Sequence, residues 1–403
     1  MSGALTGIRV LDLTRVLAGP YATQMLADLG AEVIKIERPQ TGDDTRSWGP
    51  PFLQDRQKRA TRDSTYFLCC NRGKKSVTVD LSQPPGQEIV RRLARQSDVL
   101  TENYKVGDLA RYGLDYIALS KLNPGLVYCS ITGYGQSGPY AQRLGYDPIA
   151  QALGGLMSVT GERDGQPQRV GVALVDVLTA THAVIGILAA LRHRDVTGQG
   201  QHLDLALLDV QVASMINIAQ AYLSAGVVAC RNGNEHPSVT PSQSFRCSDG
   251  LIMLAAANEG QFRRLCEAVG MPGLANEPCF ADNAARVRNR DTLTQLLQSV
   301  FSRGTVKEWV DRLVAAGVPC GPVNDIAAVF DDPQVRERQI RMQVEHPEAG
   351  TLGLVASPLR LSASPVSYHL PPPLLGEHTD EVLTDLLGMA PADLASLREA
   401  GIL

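Results

Sequence analysis

Asp176 is the only carboxylate in the apolar run 170–191, and this isolation marks it as a residue that could do chemistry. Removing an unpaired carboxylate from water is costly, so something in the fold must satisfy it. The residue suits the N-cap of a helix, where backbone amides donate hydrogen bonds to its carboxylate. The helix dipole would keep the carboxylate ionised even at pH values below its free pKa of about 3.9. An ionised carboxylate there could also act as a nucleophile. The two roles are compatible, and both stay open.

A second set of candidate residues is positively charged. Its members recur near the ends of predicted strands: Arg38, Arg72, Lys74, Lys75, Lys105, Arg111 and Arg143. The carboxyl ends of parallel strands meet at one crevice, where ligands bind. Cations gathered there suit a polyphosphate. The alternative, a set of solvated surface charges, also stays open.

The elements that would position these residues alternate between strands and helices. Residues 7–14 are rich in branched side chains and predict a strand, 19–31 predict a helix, and 32–38 predict a second strand. Further strands and helices alternate to about residue 225. This pattern predicts an α/β fold with a mostly parallel sheet. The first strand-to-helix turn lacks a GxGxxG pattern, which disfavours a dinucleotide site.

The pattern changes near residue 226. A polar loop over 233–243 precedes a predicted hairpin over 244–257, and short helices follow. These features indicate a smaller α+β domain. We therefore predict a large domain over 1–225, a small domain over 226–330, and a C-terminal return to the large domain over 331–403.

The composition disfavours several classes of protein. A formal net charge of −4 over 403 residues gives no reason to expect a nucleic-acid partner. The eight cysteines form no CxxC pair, and the seven histidines show no metal-ligand spacing. We therefore expect reduced thiols and no metal site.

The sequence also predicts a protein that is not in a membrane. The most apolar helix-like stretch, 183–191, is too short to cross a bilayer. Residues 1–13 do not show the basic segment and long apolar run of a signal peptide. We expect a cytoplasmic location and no membrane partner.

Longer stretches of the sequence carry a family resemblance. They are the segment 11–46 that begins LDLTRVLAGPY, the segment 129–161 that begins CSITGYGQSGP, GVALVDVLTA (171–180), VPCGPVND (318–325) and PPLLGEHTDEVL (372–383). In this order they resemble the class III CoA-transferases, the family of formyl-CoA transferase and carnitine CoA-transferase. GDDTRSWGPPF (42–52) and TENYKVGDLARYGLDY (101–116) are most similar to the succinyl-CoA:glutarate (hydroxymethylglutarate) CoA-transferases.

The resemblance implies both an assembly and a mechanism. It implies an interlocked, ring-like homodimer, in which both ends of each chain build a Rossmann-like, CoA-binding large domain. Asp176 matches the family's catalytic aspartate. It would attack an acyl-CoA to form a mixed anhydride and then an aspartyl-CoA thioester. CoA thioesters are then substrates, and no cofactor is bound permanently.

The resemblance also implies binding residues. The CoA contacts carried over from the family are Arg15, Val16, Ala18, Arg38, Leu68, Asn71, Lys75, Asn103, Tyr104, Arg111 and Tyr134. A dicarboxylate needs a cation for its second carboxylate, and a bidentate arginine is the natural partner. We expect Arg46 or Arg15 in this role, with Tyr146 also at the substrate. Arg46 could instead pair with Asp43 or Asp44.

The implied reaction moves CoA from succinyl-CoA, or another acyl-CoA, to a small dicarboxylate such as glutarate, itaconate or hydroxymethylglutarate. Two other functions stay open: an α-methylacyl-CoA racemase-like isomerase and a non-catalytic CoA-binding protein. Racemase relatives have a histidine in a GHD motif, where this chain has Tyr146, a poor proton carrier near neutral pH. The segment 233–243 lacks the glycine run of formyl-specific relatives, which disfavours formate and oxalate.

Overall fold

The computed structural model describes residues 3–403, which divide into two compact units. The larger unit contains the described residues up to 156 together with 170–220 and 337–403, and the smaller unit contains 157–169 and 221–336. The chain therefore leaves the larger unit and returns to it before the C-terminus. Residues 157–169, which were predicted to lie in the large domain, pack with the smaller unit.

The strands form four sheets in the described part of the chain. They are β1 (Arg9–Asp12), β2 (Glu32–Glu37), β3 (Phe52–Gln54), β4 (Ala60–Ser64), β5 (Lys74–Thr78), β6 (Val99–Glu102), β7 (Val127–Thr132), β8 (His202–Ala206), β9 (Ser242–Arg246), β10 (Leu251–Ala255), β11 (Cys320–Pro322), β12 (Arg341–His346) and β13 (Gly350–Val355). The larger unit holds a six-stranded sheet of order β5-β2-β1-β6-β7-β8, in which every neighbouring pair is parallel. The predicted α/β class with a parallel sheet is confirmed.

Helices connect and cover these strands. They are α1 (Ala18–Asp28), α2 (Thr65–Leu68), α3 (Pro84–Arg95), α4 (Tyr116–Leu122), α5 (Asp147–Leu153), α6 (Leu156–Val159), α7 (Leu174–Thr197), α8 (Leu207–Ser214), α9 (Ile216–Ala225), α10 (Glu259–Ala268), α11 (Asn283–Arg288), α12 (Arg290–Phe301), α13 (Val306–Ala315), α14 (Ile326–Asp331), α15 (Pro333–Glu337), α16 (Thr379–Leu387) and α17 (Pro391–Glu399). Helices cover both faces of the parallel sheet, so most of its strand residues are buried, including the charged Lys35 and Lys74. Val10 and Leu11 of β1 lie in different core clusters because successive side chains of a strand point to opposite faces.

The strand order changes direction at β1, which lies between β2 and β6. The chain passes from β1 to β2 on one side and places β6 on the other. In open parallel sheets, the crevice at the carboxyl ends of two such strands is where ligands bind. The turn over 13–17 follows β1, and the loop over 103–108 follows β6, so both lie at this crevice.

The α7 helix corrects one expectation. It has 24 residues and is, by length and composition alone, long and apolar enough to cross a membrane, unlike the shorter stretch considered in the sequence. In the structure it packs beside α1 in the larger unit. Its side chains Val175, Ala183 and Ile187 are fully buried in the core. This packing accounts for the buried part of its apolar surface, and other apolar side chains such as Ile185 remain exposed.

The smaller unit has its own antiparallel sheet and core. β9 pairs with β10 in the predicted hairpin, and β11 joins the other edge of β10. Phe245 of β9 stacks on Phe301 at 4.9 Å, and Phe301 meets Trp309 edge-on at 5.0 Å. These aromatic contacts join the sheet to α12 and α13.

Candidate active site

A cavity of about 380 Å³ opens at the carboxyl ends of β1, β6 and β7. All of its lining residues belong to the larger unit. Asp176 lies in its wall with the turn 15–18, the loop 103–106 and the segment 143–146. Its size suits a small-molecule site. We refer to it below as the first cavity.

The carboxylate of Asp176 does not cap its helix. Ala173 is the N-cap residue of α7, so Asp176 is the third helical residue, and the expected N-cap role is wrong. Asp147, the first residue of α5, satisfies the amides instead. Its Oδ1 accepts hydrogen bonds from the backbone N–H of Val175 at 2.8 Å and of Asp176 at 3.3 Å. This arrangement leaves the Asp176 side chain in the cavity wall.

Asp147 is itself held in place by α5. It is only 4% exposed, and the side-chain amide of Gln151 donates a hydrogen bond to its Oδ2 at 2.7 Å. The Gln151 Oε1 accepts the backbone N–H of Val170 at 2.9 Å. Two side chains one helical turn apart thus tie α5 to the segment that leads into α7. They fix where the first turn of α7 begins.

Burial and charge both act on the titration of Asp176. Removal from water raises its pKa, and the negative charge of Asp147 raises it further, to about 7. The sequence-based expectation that the helix terminus keeps this carboxylate ionised below its free pKa is therefore wrong. The dipole of the first turn is outweighed because the cavity wall excludes water and a second carboxylate is close.

The turn after β1 has a strained backbone that its neighbours hold. Val16 has a φ of 74°, in a region that branched residues rarely adopt. Its N–H donates to Asp43 Oδ1 at 3.3 Å. The Asn103 side chain accepts from the N–H of Arg15 at 3.0 Å and donates to the Arg15 carbonyl at 2.7 Å. The turn therefore presents its backbone to the cavity in one conformation.

A buried ion pair between Lys35 and Asp43 stabilises the same turn. Lys35 is fully buried, and its ammonium donates to Asp43 Oδ2 at 2.9 Å and to the Thr14 carbonyl at 2.8 Å. Burial alone would lower the pKa of Lys35, but the charges of Asp43, Asp12 and Glu37 hold it above its ordinary value. Lys35 remains charged at neutral pH and anchors both Asp43 and the turn.

A second cavity of about 170 Å³ lies beside the first and shares Arg15 and Tyr104 with it. The Arg15 guanidinium lies 5.3 Å from the centroid of the Tyr104 ring. Arg38 and the residues 79–82 after β5 complete part of its lining. Aromatic and apolar side chains beside two cations suit a planar base that carries phosphate.

The sequence as a whole matches the profile of CoA-transferase family III over residues 5–379. The chain belongs to this family. The resemblance read from the sequence is thereby confirmed, and the protein is a family III CoA-transferase.

Its similar relatives share nearly the full length of the chain. It is 46% identical over 382 residues to the succinate–glutarate CoA-transferase of Agrobacterium fabrum, covering 95% of each chain. It is 42% identical to the human succinyl-CoA:glutarate CoA-transferase, covering 99% of this chain and 89% of that one. A CaiB/BaiF family protein from Brucella suis has a similar structure, with a TM-score of 0.86 and 43% identity over 96% of this chain and 100% of that one.

The structure of this CoA-transferase brings many of the predicted site residues together. The first cavity is lined by Arg15, Val16, Ala18, Asn103, Tyr104, Tyr146 and Asp176. Arg38 lines the second cavity. Two further residues lie nearby: Arg111 pairs at 2.6 Å with Asp108 of the first cavity, and Tyr134 meets Tyr140 edge-on at 5.7 Å.

Besides Arg111 and Tyr134, four predicted residues line neither cavity, and three of these four already have polar partners in the protein. Leu68 is packed in the core, and the buried Asn71 donates to the Phe67 carbonyl and accepts from Lys74. Lys75 pairs with Glu32 at 3.1 Å and Glu381 at 2.8 Å. The structure therefore gives no support for Leu68, Asn71 and Lys75 as CoA contacts.

Arg46 is the fourth of these residues, and its surroundings correct the expectation for it. The guanidinium is buried and pairs with Glu37 at 2.7 Å and Asp63 at 2.7 Å. The alternative pairing with Asp43 or Asp44 is not observed either. With its hydrogen-bonding edges occupied, Arg46 is not available to a substrate carboxylate.

Sequence reasoning missed several residues that build the site. Asp147 directly follows Tyr146 in the motif compared with racemases and was given no role, although it holds the first turn of α7. Lys35 lies within the apolar strand β2 and gave no signal of its own. The sequence could have indicated residues 79–82 as part of the site, because they follow a predicted strand at the edge of the sheet where ligands bind. No cluster of three or more metal-ligating side chains occurs in the part of the chain that the structure describes.

The raised pKa of Asp176 predicts a pH dependence. If Asp176 is the nucleophile, kcat/KM should rise with pH to a plateau, with an apparent pKa of about 7. Asp147→Asn keeps an oxygen acceptor for the amides but removes the negative charge, so the rising limb should move to lower pH. Initial rates measured between about pH 5 and 9 would show the shift.

The control is Asp195→Asn, which changes an exposed carboxylate at the far end of the same helix and should leave the pH profile unchanged. An unaltered pH profile in Asp147→Asn would contradict the electrostatic effect of Asp147 on Asp176.

The raised pKa of Asp176 also makes the stability of the protein depend on pH. Because the folded pKa lies above the ordinary 3.8, the contribution of Asp176 is full below that value and is lost as pH rises through about 7.

Proposed function

We propose that this enzyme transfers CoA from succinyl-CoA to glutarate, with Asp176 as the nucleophile. The observation that carries the proposal is the place of Asp176, a partly buried carboxylate with a raised pKa in the wall of the first cavity, next to a second cavity with cationic and aromatic lining. Relatives that cover nearly the whole chain and are 42–46% identical are named for succinate or succinyl-CoA and glutarate. Itaconate and hydroxymethylglutarate are further candidate acceptors.

In the proposed first half of the reaction, the donor acid is released and CoA becomes bound to the enzyme as a thioester. An Asp176 oxygen attacks the thioester carbonyl of succinyl-CoA, the C–S bond breaks, and CoA leaves as the thiolate. The product is a mixed anhydride between succinate and Asp176. The thiolate then attacks the aspartyl carbonyl, which releases succinate and leaves an aspartyl-CoA thioester.

The second half runs through the same steps with the acceptor. A glutarate carboxylate attacks the aspartyl carbonyl, expels the CoA thiolate and forms a second mixed anhydride. The thiolate attacks the glutaryl carbonyl, so glutaryl-CoA leaves and the Asp176 carboxylate is restored. Each step exchanges one activated acyl group for another, so no nucleotide hydrolysis is needed. The burial of Asp176 supports the exclusion of water that the anhydrides require.

The turn 15–18 supports this chemistry through its backbone. The α1 helix begins at Ala18, and the first amides of a helix have no partner within the helix. Leu17 and Ala18 line the first cavity with Asp176. We propose that these amides stabilise the oxyanions that form at the attacked carbonyls. The strained but well-held Val16 backbone would set their direction.

The proposed CoA position spans the two cavities. The second cavity would hold the adenosine part against Tyr104, with Arg15 and Arg38 as the phosphate partners. Asn103 and the turn 15–18 would contact the pantetheine arm that leads to Asp176. CoA thioesters are substrates in this scheme, and no permanently bound cofactor is proposed.

We further propose a homodimer, as the family resemblance implies. Large apolar side chains remain exposed on α7 and α8, among them Ile185 at 59% and Val212 at 52%. A second copy of the chain could cover such side chains. A cytoplasmic location stays a prediction.

The test of the proposed function is direct. Purified protein is incubated with succinyl-CoA and, in separate reactions, glutarate, itaconate, mesaconate, citramalate and hydroxymethylglutarate, and the CoA products are identified by mass. Formation of glutaryl-CoA is the expected result. Product formation only with monocarboxylates would contradict the dicarboxylate assignment. Exchange of the α-proton of a 2-methylacyl-CoA, without transfer, would favour the racemase-like alternative.

A further inference from the structure

Three cations line the first cavity, and they differ in their contacts within the protein. They are Arg15, Lys105 and Arg143. Arg15 pairs with Asp44 at 3.1 Å, lies beside the Tyr104 ring and also faces the second cavity. Lys105 forms no ion pair among residues 3–403 either, but it directly follows Tyr104, which lines both cavities. Both therefore belong to the side of the site that suits the phosphates of CoA.

Arg143 lies on a different segment of the wall. Its guanidinium is 3.7 Å from the centroid of the Tyr140 ring, and Tyr140 packs edge-on against Tyr134. Stacking on a ring face restricts a planar guanidinium while leaving its N–H edges exposed. No carboxylate within residues 3–403 forms an ion pair with Arg143. Arg143 is therefore an exposed donor, stacked on Tyr140, without an anionic partner among the described residues.

The other acidic side chains of the cavity do not compete for Arg143. Asp44 is paired with both Arg15 and Arg38, and Asp108 is paired with Arg111. Asp176 is the remaining carboxylate of the lining, and its burial and raised pKa weaken its charge near neutral pH. An anionic group of the ligand is the natural partner for the Arg143 fork.

The backbone fixes Arg143 relative to the nucleophile. Gly145 packs directly on the end of β7, since a Cβ on Gly145 would lie 2.5 Å from the Gly133 Cα. Two residues later, Asp147 accepts the amides of Val175 and Asp176. The same segment thus carries the cation and positions the first turn of α7, so the backbones of Arg143 and Asp176 are held relative to each other.

We propose that Arg143 is a specificity-determining residue that binds the distal carboxylate of the dicarboxylate whose other carboxylate exchanges at Asp176. This inference rests on the proposed function. The guanidinium would receive the distal carboxylate through two parallel N–H···O bonds.

The experiment compares glutarate with pentanoate, which has the same carbon chain and lacks the distal carboxylate. In Arg143→Met, kcat/KM for glutarate should fall by about 10- to 100-fold, whereas kcat/KM for pentanoate should change by less than about threefold. Arg143→Lys keeps the charge but loses the fork, so it should fall between Arg143→Met and the wild type for glutarate. Arg398→Met, an exposed arginine of α17 paired with Asp380, is the control and should match the wild type.

Binding of free CoA, measured by calorimetry, separates the two sides of the cavity. It should be unchanged in Arg143→Met, because free CoA has no distal carboxylate. Lys105→Met is the comparison variant and should weaken CoA without altering the glutarate-to-pentanoate ratio. Weaker CoA binding in Arg143→Met, or equal loss for both acids, would overturn the proposal.

A further assay distinguishes failure of the proposed role of Arg143 from failure of the proposed acceptor, glutarate. Exchange of labelled succinate into succinyl-CoA also uses a dicarboxylate, and it should fall in Arg143→Met as glutarate transfer does. Wild-type protein that exchanges succinate but makes no glutaryl-CoA would remove glutarate as the acceptor, while the exchange still tests Arg143. Wild-type protein that uses neither dicarboxylate would overturn both.

Discussion

Replacing Asp176 with asparagine should reduce the rate of CoA transfer by about 10³-fold or more, while free CoA still binds. Asparagine fills nearly the same volume but has no carboxylate oxygen to attack a thioester. The backbone amide of residue 176 would still donate to Asp147, so the first turn of α7 should keep its position. The large effect is expected because the proposed mechanism passes every acyl group through this one side chain.

Steady-state rates with succinyl-CoA and glutarate measure the loss, and calorimetry with CoA checks the site. Asp176→Ala is a second variant, since it cannot revert by deamidation. Asp195→Asn, at the exposed end of the same helix, is the matched control and should retain full activity. Mass spectrometry of wild-type protein mixed with succinyl-CoA should show an adduct that both Asp176 variants lack. More than about a tenth of the wild-type rate in either variant would contradict the nucleophilic role.

Replacing Arg46 with methionine should lower the free energy of unfolding by about 3–5 kcal/mol, because it removes one partner of a buried ion network. The Arg46, Glu37 and Asp63 side chains are 5%, 1% and 6% exposed. The guanidinium also donates to the Pro373 carbonyl at 3.1 Å and lies 3.7 Å from the Phe67 ring centroid. The variant would leave two buried carboxylates without their shared cation.

Urea unfolding at neutral pH measures this effect. Adding Glu37→Gln and Asp63→Asn to the Arg46→Met variant should recover part of the loss, since the unpaired charges are then gone. Unchanged stability together with a raised KM for glutarate would instead restore Arg46 as a substrate residue. Burial opposes ionisation of Glu37, but the Arg46 contacts hold its pKa below its ordinary 4.5. Its stabilising contribution is therefore present above 4.5 and lost as pH falls below it.

Much of the fold followed from local patterns. Branched, apolar segments separated by helical periodicity predicted β1, α1 and β2 in order, and the parallel sheet with them. Such patterns are informative because a strand buried on both faces is mostly apolar, although Lys35 and Lys74 are buried exceptions that ion pairs satisfy. The full length of α7 was harder to read, since Thr179 and His182 interrupt its apolar run without interrupting the helix.

The partners of charged side chains could not be read from the chain. The amides of the first turn of α7 are held by Asp147, 29 residues before Asp176, and Arg46 reaches Glu37 and Asp63 on other elements. A run of sequence does not show which of many nearby carboxylates a cation will meet. Lys75, which the family resemblance implies as a CoA contact, likewise pairs with Glu32 and Glu381, and these partners could not be read from the sequence.

The sequence by itself determined the α/β class, the family and the identity of Asp176 as the candidate nucleophile, because residue type and order are sufficient for these. Tertiary structure decided which carboxylate caps α7, why the pKa of Asp176 rises to about 7, and which arginine is buried in a network and which is open to a ligand. These outcomes depend on distance and on exclusion of water. Both are set only when elements far apart in the chain are brought together.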